Sequence, residues 1–212
     1  YPQKLLALQT KYSPKFHEKI QFAWKNSSQP IRGLERIIHH AYLSRSLQDH
    51  LLIEALRNAI EQIDTSDIFR YFNLIENLEL TISNFWIEYA RNYLVLNGFT
   101  GRLNLSFLKE QQELSKKQDV LKNYLLILYH LQEQDINAAK RLTEKLINEQ
   151  YSILPNICLS AVQKIALMYL NTGQLKASLD ISQKILSQIQ VTQEIILGYV
   201  NINITLSAAL IY

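Results

Sequence analysis

Apolar residues recur along this chain at spacings of three and four, which is the period of one face of an α-helix. Leu34, Ile37, Ile38 and Ala41, for example, share one face after Pro30. Short polar breaks separate such stretches and carry residues that start or end helices. The pattern predicts ten or eleven helices, at residues 13–24, 30–42, 50–63, 68–82, 84–97, 102–117, 119–133, 136–150, 157–172, 175–190 and 192–212. No segment convincingly predicts a strand, so we predict an all-α fold.

Three of the breaks share one pattern, in which a helix ends at a glycine or an amide and a second helix follows. They fall at Gly98, Gln134 and Gly173, which are 36 and 39 residues apart. A period of that size is typical of stacked helical pairs. Gly98 is expected to take the left-handed conformation that often ends a helix.

With these breaks in register, the chain resembles the tetratricopeptide repeat (TPR) family. Gly173 matches the turn glycine, Ala166 and Tyr169 match the small and aromatic positions of the first helix, and Ser178 matches the small position of the second. The other two copies match less well, with Ile127, His130 and Ala139 at these positions in one and Arg91, Leu94 and Leu103 in the other. The resemblance covers about residues 84–190. It implies a right-handed αα-solenoid in which an N-terminal helical region, 1–83, is continuous with the repeats of 84–212.

In TPR proteins the first helix of each pair lines a concave groove. The resemblance therefore implies a groove formed by Glu88, Asn92, Tyr124, Leu128, Gln132, Gln163, Leu167 and Asn171, with Tyr199 and Asn203 added by the last helix. The set contains no Lys or Arg, so the clamp by which co-chaperone members hold a terminal carboxylate is not expected. Carboxamides both donate hydrogen bonds to a peptide backbone and accept them from it. An extended peptide or a protein segment is therefore the expected ligand.

Composition narrows the class of protein. The 212 residues suit one domain or one repeat array, and 48% of them are hydrophobic, which is ample for a core. Only five glycines and four prolines are present, too few for the many turns of a β-rich fold. A single cysteine, Cys158, rules out an internal disulfide and is compatible with a reducing compartment, so we expect a cytoplasmic protein. No apolar run is long enough to predict a membrane span.

Motifs for catalysis or cofactor binding are not found in the sequence. It contains no glycine-rich phosphate loop, no nucleophile elbow and no zinc-binding His-Glu-x-x-His. The neighbouring His39 and His40 point about 100° apart on a helix, so they do not form a pair of metal ligands. We therefore expect that the protein is not an enzyme and that it binds neither a cofactor nor a metal.

Two functions fit these features. The first is a scaffold that binds a peptide or protein partner within a larger protein or complex. The second is the peptide-sensing domain of a cytoplasmic transcriptional regulator, because the Ile-, Asn-, Gln- and Lys-rich repeats look like those of peptide-pheromone receptors from Gram-positive bacteria and their phages. In that case the DNA-binding domain lies outside this chain, which begins at Tyr1 and is interpreted as a piece of a longer polypeptide.

The partners considered include a second copy of the chain. Nucleic acid is not expected as a partner through this chain. The feature that would favour it is the basic segment of residues 1–25, which has five lysines and one glutamate, with Lys11, Lys15 and Lys19 at a spacing of four.

Overall fold

A computed structural model describes residues 49–78, 84–110 and 113–187, with residues 15, 19, 20, 38, 41 and 202 besides. All regular structure in these residues is helical, so the predicted all-α class is confirmed for this part of the chain. The helices are α1 (Asp49–Gln62), α2 (Thr65–Asn77), α3 (Phe85–Leu96), α4 (Phe107–Glu110), α5 (Lys116–Gln132), α6 (Ile136–Lys145), α7 (Pro155–Asn171) and α8 (Leu175–Leu186). A π-helix, Leu146–Gln150, continues α6. Apart from a few single residues, the predicted helices at 13–24, 30–42 and 192–212 lie outside the described residues.

Side-chain caps fix where several helices begin. Asp64 and Asp135 each accept a hydrogen bond, at 3.0 Å, from the backbone N–H three residues further on. Ser115 and Gln118 form a reciprocal capping box at the start of α5. Such caps pair N–H groups that have no partner inside the helix, and each contributes about 1 kcal/mol.

The predicted helix at 102–117 is wrong. Residues 102–105 and 113–115 are not helical, and α5 begins at Lys116 after the cap at Ser115. The side chain of Asn104 accepts the N–H of Ser106 at 3.1 Å. Such an Asx turn offers the backbone an alternative to helix, which is why Asn is common in turns.

Four helices end in the same way, each at a residue with a left-handed backbone. These residues are Ile63 (φ 58°), Gly98 (φ 90°), Gln134 (φ 61°) and Gly173 (φ 74°). In each case the next N–H donates to the carbonyl five residues earlier: Asp64 to Ala59 (3.0 Å), Phe99 to Leu94 (3.0 Å), Asp135 to His130 (2.8 Å) and Gln174 to Tyr169 (2.8 Å). The three predicted breaks are thus confirmed as helix ends of one geometry. Ile63 adds a fourth copy, 35 residues before Gly98, that the sequence pattern did not indicate.

The contacts of the chain divide it into two compact units. Among the described residues, the first contains 49–60, 64–78 and 84–87, and the second contains 61–63, 88–110 and 113–187. In the first unit, α1 and α2 each turn an apolar face inward. Its most deeply buried side chains include Leu52, Leu56, Ile60, Ile68 and Ile75.

In the second unit, α5 packs against α6 and α7, and α7 packs against α6 and α8. Small residues permit the close approach of α7 and α8. The hydroxyl of Ser178 donates to the carbonyl of Ala166 at 3.0 Å, and both residues are fully buried. These are the two small positions that the pattern predicted to lie where two helices touch.

The left-handed helix ends lead to a set of matched substitutions. Gly173→Ala is expected to lower the free energy of unfolding by about 1 kcal/mol, because a Cβ is disfavoured at positive φ. No atom lies within 4 Å of that Cβ, so the cost is conformational rather than steric. Gln134→Ala should be close to neutral, since a side chain is already present there, and Gln134→Gly should stabilise the protein. Urea unfolding measures the free energy of unfolding of the three variants. If Gly173→Ala and Gln134→Ala lowered it equally, the shared geometry would be contradicted.

Candidate binding face

One face of α7 carries three of the predicted groove residues together. Gln163, Leu167 and Asn171 follow one another at a spacing of four, so they lie along one side of the helix. Gln163 is half-buried and Asn171 is exposed. Leu167 exposes 39% of its surface, which is unusual for a large apolar side chain in this part of the chain. The α7 face therefore combines an apolar centre with an amide on either side.

The predicted groove residues of α5 are mostly buried. Tyr124 is fully enclosed, its ring 6.5 Å from that of Tyr93 on α3 and its hydroxyl 2.7 Å from that of Ser160 on α7. Leu128 is also buried, and only Gln132, the last residue of α5, is exposed. In this conformation a partner cannot touch Tyr124 or Leu128, because their contacts lie inside the protein.

On α3 the two predicted residues already have partners within the chain. Glu88 is half-buried and forms an ion pair with Arg91. Asn92 has no exposed surface. Its Nδ2 donates to the carbonyl of Glu88 at 2.8 Å, and its Oδ1 accepts the N–H of Asn104 at 2.6 Å. Asn92 therefore forms hydrogen bonds with the backbone of its own chain, and its predicted bond to a partner stays a prediction.

Tyr199 and Asn203 lie outside the described residues, and so does Lys11 of the basic segment. Lys15 and Lys19 are helical and exposed. The pattern missed Ser160, which shares a face of α7 with Gln163 and Leu167 and holds the Tyr124 hydroxyl. The sequence signal for Ser160 was its spacing of three from Gln163, which places both residues on one side of the helix.

Burial keeps the hydroxyls of Tyr89 and Tyr124 and the thiol of Cys158 neutral. It raises the pKa of Tyr89 and of Tyr124 well above the ordinary value, with a further increase from the neighbouring tyrosines. It also raises the pKa of the Cys158 thiol to about 12. At neutral pH the thiol is therefore protonated, and a protonated thiol is a poor nucleophile.

A cluster of polar side chains joins α5 to the π-helix. Gln150 accepts from Asn123 at 3.0 Å and donates to Asp119 at 2.6 Å. Asn123 and Gln150 are both buried. Each backbone hydrogen bond of a π-helix spans five residues, one more than in an α-helix. The insertion therefore changes which residue points inward. Gln150, the last residue of the π-helix, points inward and pairs with the buried amide of Asn123.

Comparisons with known proteins yielded no relative. Neither a family model, nor a curated protein, nor a solved structure matches this chain. Within the described residues, no helix is long and apolar enough to cross a membrane. In the same residues, no three His, Cys, Asp or Glu side chains cluster in a way that could hold a metal ion.

The Asn123–Gln150 pair predicts a coupled effect on stability. Gln150→Leu should lower the free energy of unfolding by about 1–3 kcal/mol, because it leaves the buried Asn123 amide without its acceptor. Adding Asn123→Leu should recover much of this loss, since no orphaned amide then remains. Urea unfolding of the two single variants and the double variant gives the coupling energy. A coupling energy near zero would contradict the role of the pair.

Proposed function

We propose that this chain is a non-enzymatic helical-repeat module that binds an extended peptide or protein segment and acts as a scaffold in a larger protein or complex. The observation that carries the proposal is the α7 face. There an exposed leucine lies between Gln163 and Asn171, on a helix whose opposite side is fully buried.

The chemistry of the face favours a backbone as ligand. Gln163 and Asn171 each offer a donor and an acceptor, which suits the alternating C=O and N–H groups of an extended segment. Lys164 is the charged residue beside them, and α7 contains no carboxylate. Covering Leu167 contributes about 1 kcal/mol, since part of the side chain is already buried. Binding therefore needs contacts with several residues, as an extended ligand would make.

The packing of α5–α8 supports a stacked arrangement of helical pairs, similar to TPR proteins. Consecutive helices pair, and α7 also contacts both helices of the preceding pair. Four helix ends of one geometry recur at intervals of 35, 36 and 39 residues. We propose on these grounds a solenoid with its ligand face on the first helix of each pair, in a cytoplasmic protein.

A selected peptide tests the α7 face. A phage library of random 12-residue peptides is panned against the chain, and an enriched peptide is synthesised with a fluorophore. Leu167→Asp should weaken its binding at least tenfold in fluorescence anisotropy, because the substitution replaces the apolar centre with a charge.

Leu78→Asp is the matched control, since Leu78, which follows α2 directly, is also 39% exposed. It should change the affinity less than twofold. Equal losses for the two variants would reject the α7 face, and so would failure to enrich any peptide that binds after synthesis.

A further inference from the structure

Residues Gly101–Ser106, which we call the strap, lie where the other helical pairs have a helix. After Ile63, Gln134 and Gly173 the next helix begins two residues later, at Thr65, Ile136 and Leu175. After Gly98 it begins only at Phe107. The intervening chain is non-helical from 102 to 105. This pair of helices therefore contains an extra segment at the point where the chain leaves α3.

The strap has the burial pattern of an extended peptide on a surface. Leu103 and Leu105 are half-buried and Phe107 is buried, whereas Arg102, Asn104 and Ser106 are exposed. Alternation with a period of two is the signature of an extended chain with one side facing the protein. The apolar side chains of the strap face inward, and its polar side chains face solvent.

Asn92 holds the strap by its backbone alone. The N–H of Asn104 donates to Asn92 Oδ1 at 2.6 Å, and the other end of the same carboxamide is fixed on Glu88. Every residue except proline carries a backbone N–H, so this bond does not depend on the residue at position 104. Any extended segment in the same position could make it.

Gly101 brings the strap into close contact with α3. A Cβ at this residue would lie 2.8 Å from Cγ2 of Val95, so a larger residue could not take the same position without a shift. Val95 and Asn92 are three residues apart on α3 and therefore lie on the same side of the helix. The strap thus touches the side of α3 on which the sequence predicted a ligand groove.

We propose that the strap is an internal ligand. The side of α3 formed by Asn92 and Val95 is a site for an extended peptide with apolar residues at alternate positions. The strap occupies this site in the free protein, and a segment of another polypeptide displaces it. The proposal extends the proposed function from α7 to α3, and it rests on that function for its biological ligand.

The test opens the strap and offers its sequence in trans. Asn104→Pro removes the N–H that Asn92 accepts, whereas the matched control Asn104→Ala keeps it and removes only the side chain. The probe is a fluorescein-labelled, amidated peptide of residues 101–107. Asn104→Pro should bind this probe at least tenfold more tightly than the wild type or Asn104→Ala. Adding Asn92→Leu to Asn104→Pro should abolish the gain.

Trypsin reports whether the strap has opened, because its cleavage site after Arg102 lies within the strap. Faster cleavage of Asn104→Pro together with tighter probe binding supports the proposal. Faster cleavage without probe binding overturns it, and so does an unchanged cleavage rate. Loss of the helical circular dichroism signal in Asn104→Pro also overturns it, since a displaceable segment cannot be essential to the fold.

This outcome is separate from that of the α7 test. The probe assay is repeated in Leu167→Asp, where the gain from Asn104→Pro should persist. If the gain persists while no library peptide depends on Leu167, the α7 face is rejected and the strap site stands.

Discussion

The described helical pairs depend on one backbone constraint, the left-handed residue that closes the first helix of each pair. Its φ value lets the following N–H turn back and donate to the carbonyl five residues earlier. The hydrogen bond pairs a carbonyl that would otherwise be orphaned at the helix end, and it fixes the direction in which the chain leaves. Where the next helix starts two residues later, as after Gln134 and Gly173, the second helix folds back and packs on the first. Where it is delayed, as after Gly98, the departing chain lies along α3 instead.

The same constraint explains which turns the sequence could predict. Glycine at 98 and 173 signals a helix end because it takes positive φ at little cost. Gln134 was recognised because the residues around it, from His130 to Ala139, repeat the turn with an amide in place of glycine. A helix end was also predicted at Ile63, but its left-handed geometry was not, since a β-branched residue rarely takes positive φ. Asp64, the next residue, donates its N–H to the carbonyl of Ala59 and accepts the hydrogen bond that starts α2.

The helix predicted at 102–117 fails for a different reason. Its leucines and phenylalanine are compatible with either a helical or an alternating pattern over so short a stretch. The extended form is held by the local turn of Asn104 and also by the hydrogen bond from its N–H to Asn92, twelve residues away, which no local pattern contains. The bonds of Gln150 in the π-helix to Asp119 and Asn123 are likewise contacts between helices that no local pattern contains.

The predicted register of the turns did not predict exposure. Asn92 and Asn171 were both predicted to line a groove, yet one is fully buried and the other is exposed. The difference comes from what covers each residue. A register derived from turn positions indicates the side of a helix on which a residue lies, and it cannot indicate that the chain itself covers that side. Tyr124 and Leu128 on α5 show the same limit. The hydroxyl of Tyr124 pairs with Ser160 on α7, and its ring lies beside that of Tyr93 on α3.

The tethering of the strap restricts what could displace it. Gly98 anchors one end to α3, and the buried Phe107 and Leu108 of α4 anchor the other. A segment held at both ends by short connections has an effective concentration on the order of millimolar. A free peptide that makes the same contacts must exceed this concentration, so it cannot compete when it is present at micromolar levels. A natural partner must therefore make further contacts beyond Asn92 and Val95, and the apparent affinity of such a partner falls in proportion to the fraction of molecules in which the strap is open. An extended partner long enough to reach further helices would meet that requirement, whereas a short peptide confined to α3 would not.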